Sequence, residues 1–220
     1  LGLSAALMGK YVERKGPRAA ATLAAVLFGL GTVGSGMAIH LESQILFYLT
    51  YGVLGGAGLG IGYISPVSML VKWFPDRRGM ATGFAIMGFG FASAISGPAI
   101  KVLIDSVGIS STFYILGSIY FIIMFAAAQY LANPTEGYMP ERLSHAIASG
   151  KKKIKEDLVN ITRNEAMKTG RFYGLWIMLF INVTCGIAII SVASPLLQET
   201  VGIGALAAAS AVGLMGIFNG

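Results

Sequence analysis

Charged residues are spaced along the chain so that five stretches contain no Asp, Glu, Lys or Arg: residues 19–39, 44–71, 79–100, 112–131 and 172–196. A helix rises ~1.5 Å per residue, so about 20 residues cross a ~30 Å hydrocarbon core, and a helix satisfies its own backbone hydrogen bonds on the way. Each stretch is long enough. Leu1–Gly9 and Ala205–Gly220 continue the apolar pattern to the two ends of the sequence. The pattern predicts an all-α polytopic membrane protein with five complete membrane helices and two truncated ones. No Met and no basic segment precede the first apolar run, so the sequence reads as an internal piece without a signal peptide.

The basic residues fall in alternate connections. Lys10, Arg14, Lys15 and Arg18 lie in 10–18, Lys72, Arg77 and Arg78 in 72–78, and eight more in 132–171. The intervening connections hold Glu42 and Glu199, with Lys101 and Asp105 near 101–111. Short cytoplasmic loops carry the excess of Lys and Arg, which places 10–18, 72–78 and 132–171 inside the cell. Hydropathy and charge are independent signals, and they agree on the spans.

Composition narrows the chemistry. Charged residues make up 12% of the chain, against ~25% in soluble domains. The net charge of +6 is accounted for by orientation, so nucleic acid is not expected as a partner. The run Lys151–Lys155 would touch anionic headgroups only incidentally. Cys185 is the sole cysteine, and His40 and His145 are the two histidines. That excludes a disulfide framework and leaves no metal site or cofactor to be expected. There is no Ser-His-Asp set and no acid within a span to relay protons, so an enzyme is not expected.

Gly29-Leu30-Gly31-Thr32-Val33-Gly34 matches GxGxxG, but a dinucleotide site needs a preceding strand and an acid ~20 residues on. Neither is present. Glycines at helical spacing instead predict close helix contacts, because lipid supplies no hydrophobic drive between helices and short-range packing must do so. Gly52, Gly56 and Gly60 form one such row, Gly58 and Gly62 a second, and Gly79, Gly83, Gly90 and Gly97 a third.

Two connections carry sharper patterns. Gly9-Lys10-Tyr11-Val12-Glu13-Arg14-Lys15-Gly16-Pro17-Arg18 resembles the loop motif G-x-x-x-D-R-x-G-R-R of the major facilitator superfamily, with Glu13 for Asp and Pro17 for a basic residue. Gly58-Leu59-Gly60-Ile61-Gly62-Tyr63 leads to Lys72-Trp73-Phe74-Pro75-Asp76-Arg77-Arg78-Gly79, and Met87-Gly88-Phe89-Gly90 follows. Further on come Asn133-Pro134, Gly137-Tyr138-Met139-Pro140, Asn160-Ile161-Thr162 and Asn182-Val183-Thr184. Together they are similar to the oxalate/formate antiporter family within that superfamily.

The resemblance implies a chain running from the end of the second of twelve spans to the start of the eighth. Residues 1–131 would belong to the N-terminal six-helix half, 132–171 to the cytoplasmic inter-half loop and 172–220 to the C-terminal half. It implies a multi-pass protein of the inner (plasma) membrane that exchanges oxalate, formate or a similar small organic anion by alternating access. The remaining spans of the parent chain would complete it, the lipid bilayer would surround it, and an Arg just past Gly220 and a Lys on the eleventh span would anchor the anion. Proton-linked uptake of a monocarboxylate such as pyruvate or lactate is the alternative, and a transporter-like solute sensor is the alternative of another class. A cytoplasmic gate would comprise Gly9, Glu13, Arg14, Gly16, Arg18, Asp76, Arg77 and Arg78, with Glu13 pairing to Arg77 or Arg78. Candidate substrate-facing residues are Tyr63, Phe89, Asn182, Thr184 and Asn219, Tyr63 offering a phenol to a carboxylate.

Overall fold

The computed structural model describes the backbone of residues 1–135, 137–140, 144 and 163–219, and the side chains of all these except Phe89, Arg163 and 216–219. The run Lys151–Lys155 and Asn160-Ile161-Thr162 lie outside the described residues. Seven helices are described: α1 (Gly2–His40), α2 (Gln44–Trp73), α3 (Arg78–Val107), α4 (Ile109–Tyr130), the single turn α5 (Arg163–Ala166), α6 (Gly170–Thr200) and α7 (Ala205–Asn219). The five charge-free stretches fall one each in α1, α2, α3, α4 and α6, and among the described residues these are the five helices long and apolar enough to cross a membrane. No strand occurs among the described residues.

The connections are shorter than the charge pattern predicts. Helix α1 runs straight through Lys10–Lys15 and departs from helical geometry only at Gly16, with φ 82° and ψ 165°. That region is open essentially to glycine alone. Pro17 restarts the helix where its missing N–H costs nothing. The expected 101–111 connection likewise shrinks to Gly108, φ 81° and ψ 168°, which ends α3 and starts α4. Lys101 and Asp105 pair one turn apart within α3. Nothing lies within 4 Å of a Cβ built on Gly16, so Gly16→Ala would be strained by conformation alone. We expect it to lower unfolding stability by about 1–3 kcal/mol, measured by denaturation with SDS in mixed micelles. An unchanged transition would show that the chain does not break at Gly16.

Two compact units account for the contacts. In the first, residues 1–89 and 98–138, α1 packs against both α2 and α4 through small residues. A Cβ on Gly58 would lie 2.5 Å from the Phe28 nitrogen, and one on Gly31 would lie 2.5 Å from the Gly55 nitrogen and 2.8 Å from the Thr50 carbonyl oxygen. Towards α4, a Cβ on Gly29 would lie 2.8 Å from Phe121 Cβ, and one on Gly117 would lie 2.8 Å from Val33 Cγ2. Val12, Ala20, Ala24 and Ile61 form the buried core between α1 and α2. Its polar groups are satisfied: Ser35 Oγ donates to the Gly31 carbonyl at 2.7 Å and lies 3.3 Å from Thr50 Oγ1. Ser110 Oγ donates to the Gly36 carbonyl at 2.7 Å.

The GxGxxG glycines are therefore packing contacts. The rows read from spacing are only partly so: Gly58 and Gly60 meet α1, while Gly52, Gly79 and Gly83 face open space. Over Tyr48–Gly55, α2 is wound as a π-helix, where the Thr50 hydroxyl donates to the Leu46 carbonyl at 2.8 Å.

The second unit comprises residues 90–97 and 139–219. Here the middle of α3 meets α7: a Cβ on Gly213 would lie 2.8 Å from Ala94 Cα, and Ser93 Oγ donates to the Gly213 carbonyl at 3.4 Å. Ala193 is the buried side chain of α6, whose remaining apolar surface suits lipid or further helices rather than water.

Candidate transport path and gate

Helical phase separates the two roles of the first connection. Val12 and Pro17 are buried, and Glu13, Arg14, Lys15 and Arg18 are exposed. Gly9 is half-buried with open space beside its α-carbon. Glu13 makes no ion pair among the described residues.

The second connection is a tight turn. Helix α2 ends at Trp73, Pro75 and Asp76 follow, and the Arg77 N–H donates to the Phe74 carbonyl at 3.1 Å. Proline at the second position presets the backbone for such a turn. Asp76 keeps only 10% of its side-chain surface exposed and pairs with Arg77, Nε to Oδ2 3.7 Å, while Arg77 is 42% exposed. At 3.7 Å, with the arginine side open to water, the pair contributes about 0–1 kcal/mol. Arg77 is thus engaged by its sequence neighbour in this conformation. Arg78 opens α3, its carbonyl accepting from Thr82 Oγ1 at 2.9 Å.

The candidate substrate residues divide between the units. Tyr63 is half-buried on α2, and Phe89 lies on α3 in the same unit. Asn182 and Thr184 are exposed on α6, and Asn219 ends α7. The side chains of Phe89 and Asn219 are outside those described. Two residues apart on a helix means about 200° around its axis, so Asn182 and Thr184 cannot face one cavity together. Tyr63 falls on the Gly52 row only if α2 winds uniformly, and the π-helical turn at Tyr48–Gly55 removes that premise.

A cavity of about 590 Å³ lies where α1 meets α2, lined by Glu42, Gln44, Phe47, Tyr48 and Phe113 among others. It holds an acid and no Lys or Arg, so it repels a carboxylate. No group of three His, Cys, Asp or Glu side chains that could hold a metal occurs among the described residues. Contacts that the sequence does not foretell include the buried Ser35–Thr50 hydroxyl pair and the Ser93–Gly213 bond. Hydroxyls inside charge-free spans were their only signal.

The family model described as Major Facilitator Superfamily matches residues 1–220. An uncharacterized MFS-type transporter of Escherichia coli, YhjX, is 27% identical over 219 residues, covering 100% of this chain and 51% of that protein. The oxalate:formate antiporter of Oxalobacter formigenes is 26% identical over 212 residues, 96% of this chain and 47% of that one. Apicoplast pyruvate carrier 1 of Toxoplasma gondii is 25% identical over 212 residues, 75% of this chain and 38% of that one. The chain spans about half the length of the first two of these relatives. With the five apolar helices and the family match over its whole length, this chain belongs to the major facilitator superfamily of transporters and is an all-α, multi-pass protein of the inner membrane.

Proposed function

We propose that the protein to which this chain belongs exchanges small carboxylate anions of the oxalate/formate type by alternating access. The similarity to the oxalate:formate antiporter over 96% of the chain carries this reading. Residues 1–131 form part of the N-terminal half, 132–171 the cytoplasmic link and 172–220 the start of the C-terminal half. Connections 10–18, 72–78 and 132–171 face the cytoplasm, where Glu13, Asp76, Arg77 and Arg78 form the gate. The two halves rock about a central anion site.

The five charge-free spans offer an anion no counter-ion, and an unpaired carboxylate at the midplane is costly. Cations elsewhere in the protein must therefore complete the site, with Tyr63 as a neutral donor beside it. A chain that only binds solute would show no accumulation in vesicles. The role is transport rather than chemistry on the substrate, as the absence of a nucleophile–base set in the sequence suggests.

The test is counterflow. Full-length protein in liposomes loaded with oxalate is expected to take up labelled oxalate and formate with no proton gradient. Uptake that appears only on external acidification, and for pyruvate or lactate, would replace exchange with proton symport. Similarity to the pyruvate carrier is the observation that favours this second reading.

A further inference from the structure

Trp73 ends α2 immediately before the turn that carries Asp76 and Arg77. Its indole Nε1 donates to the Ala132 carbonyl at 2.8 Å, and its ring meets that of Tyr138 near edge-on, with centroids 4.9 Å apart and planes at 65°. Both partners lie beyond α4, on the segment that leads away from it. Between them the chain turns, the Tyr138 N–H donating to the Thr135 carbonyl at 3.0 Å and Gly137 adopting φ 78°. One indole thus grips the segment on both sides of its turn.

A tryptophan at a span end that served only to anchor the protein in the interface would turn its N–H to water and headgroups. Here that donor is used on the chain's own backbone. No other side chain combines a flat apolar face with a ring N–H that donates and never accepts, and both features are used.

We propose that Trp73 is a positioning residue that clasps segment 132–138 to the end of α2, so that the gate turn and the chain leaving α4 move together. The consequence for exchange rests on the transport reading above; the clasp itself does not. Movement of the segment leaving α4 would then reach the Asp76–Arg77 turn directly, without passing through the buried core.

The experiment uses full-length protein in liposomes with its other cysteines replaced and a spin label on Thr135→Cys, and a control label on Ser106→Cys at the far end of α3. Trp73→Leu and Tyr138→Leu are each expected to raise label mobility at 135, leave it unchanged at 106, and slow exchange roughly fivefold, the scale of one lost net hydrogen bond. Trp73→Phe, which keeps the ring contact without the donor, should fall between. The double Leu variant should be no slower than either single one, since both break the same clasp. Unchanged mobility at 135 in both Leu variants overturns the clasp, whatever transport does. Raised mobility with unchanged exchange overturns its positioning role. Absence of any anion exchange by the unmodified protein would fall on the transport reading, and mobility at 135 would then decide the clasp alone.

Discussion

Gly31→Val is expected to unseat α1 from α2 and to give protein that extracts poorly and unfolds early. In an isolated helix the substitution would help slightly, because glycine is the weaker helix former by a few tenths of a kcal/mol or more. Here the added Cβ would lie 2.5 Å from the Gly55 nitrogen and 2.8 Å from the Thr50 carbonyl oxygen. Both neighbours are backbone, so no side-chain rotamer can swing away, and the helices must separate along the contact.

Separation forfeits the packing of Gly34 against Thr50 and the Ser35–Thr50 hydroxyl contact at 3.3 Å, in a medium that offers no hydrophobic compensation. Overpacking costs about 1–3 kcal/mol, and rigid backbone neighbours put this case at the upper end. Gly52→Val is the matched control, since its Cβ would meet nothing within 4 Å, and a change of under ~0.5 kcal/mol is expected. SDS-induced unfolding of both variants in mixed micelles measures the difference. Equal stability of the two would mean that α1 and α2 do not approach at Gly31.

The contrast between Gly31 and Gly52 shows where sequence reasoning stops. Charge-free runs located all five long helices, because a charge in hydrocarbon is expensive and any span long enough must avoid it. Connections came out too long for the converse reason: a helix need not end where charges begin, and Lys10–Lys15 continue α1 up to Gly16. Gly16 and Gly108 set the breaks, and nothing in composition distinguishes a glycine at positive φ from one in a helix. Spacing likewise says that a small-residue face exists without saying which neighbour meets it: in one row Gly60 meets α1 while Gly52 is open.

The two connection motifs are legible in the sequence, but the local ion pair of Asp76 with Arg77 is not. The short turn at Pro75–Asp76 brings Asp76 to Arg77, an interaction between adjacent residues that loop-to-loop reasoning does not consider. The substrate path was the least legible part. Helical phase decides which way Tyr63 faces, and phase is lost where α2 passes from π to α winding at Gly56. For Asn182 and Thr184, the helix period alone already excludes a shared face.

Glu13→Gln is expected to slow exchange at least tenfold while leaving unfolding within about 0.5 kcal/mol of the parent. The second half follows from geometry, since Glu13 is exposed and makes no ion pair among the described residues, so this conformation loses little without its charge. The first half requires that Glu13 act in a different conformation. A group shifts an equilibrium only by the difference in its interactions between two states, and tenfold corresponds to about 1.4 kcal/mol.

An exposed pair supplies about 0–1 kcal/mol and falls short, whereas a charge-assisted hydrogen bond shielded by the closing halves supplies about 1.5–3 kcal/mol. Closure must therefore bring Glu13 to an arginine away from water. Arg77, held here by Asp76 at 3.7 Å, would have to exchange one carboxylate for another, which makes the step reversible rather than a trap. Glu13→Arg is combined with Arg77→Glu and, separately, with Arg78→Glu, and both swaps belong in the test. Counterflow rates in liposomes decide it: recovery by either swap of transport lost in the single variants identifies the gating pair. Failure of both swaps, with the proteins folded, would return Glu13 to the role of a solvated interfacial charge.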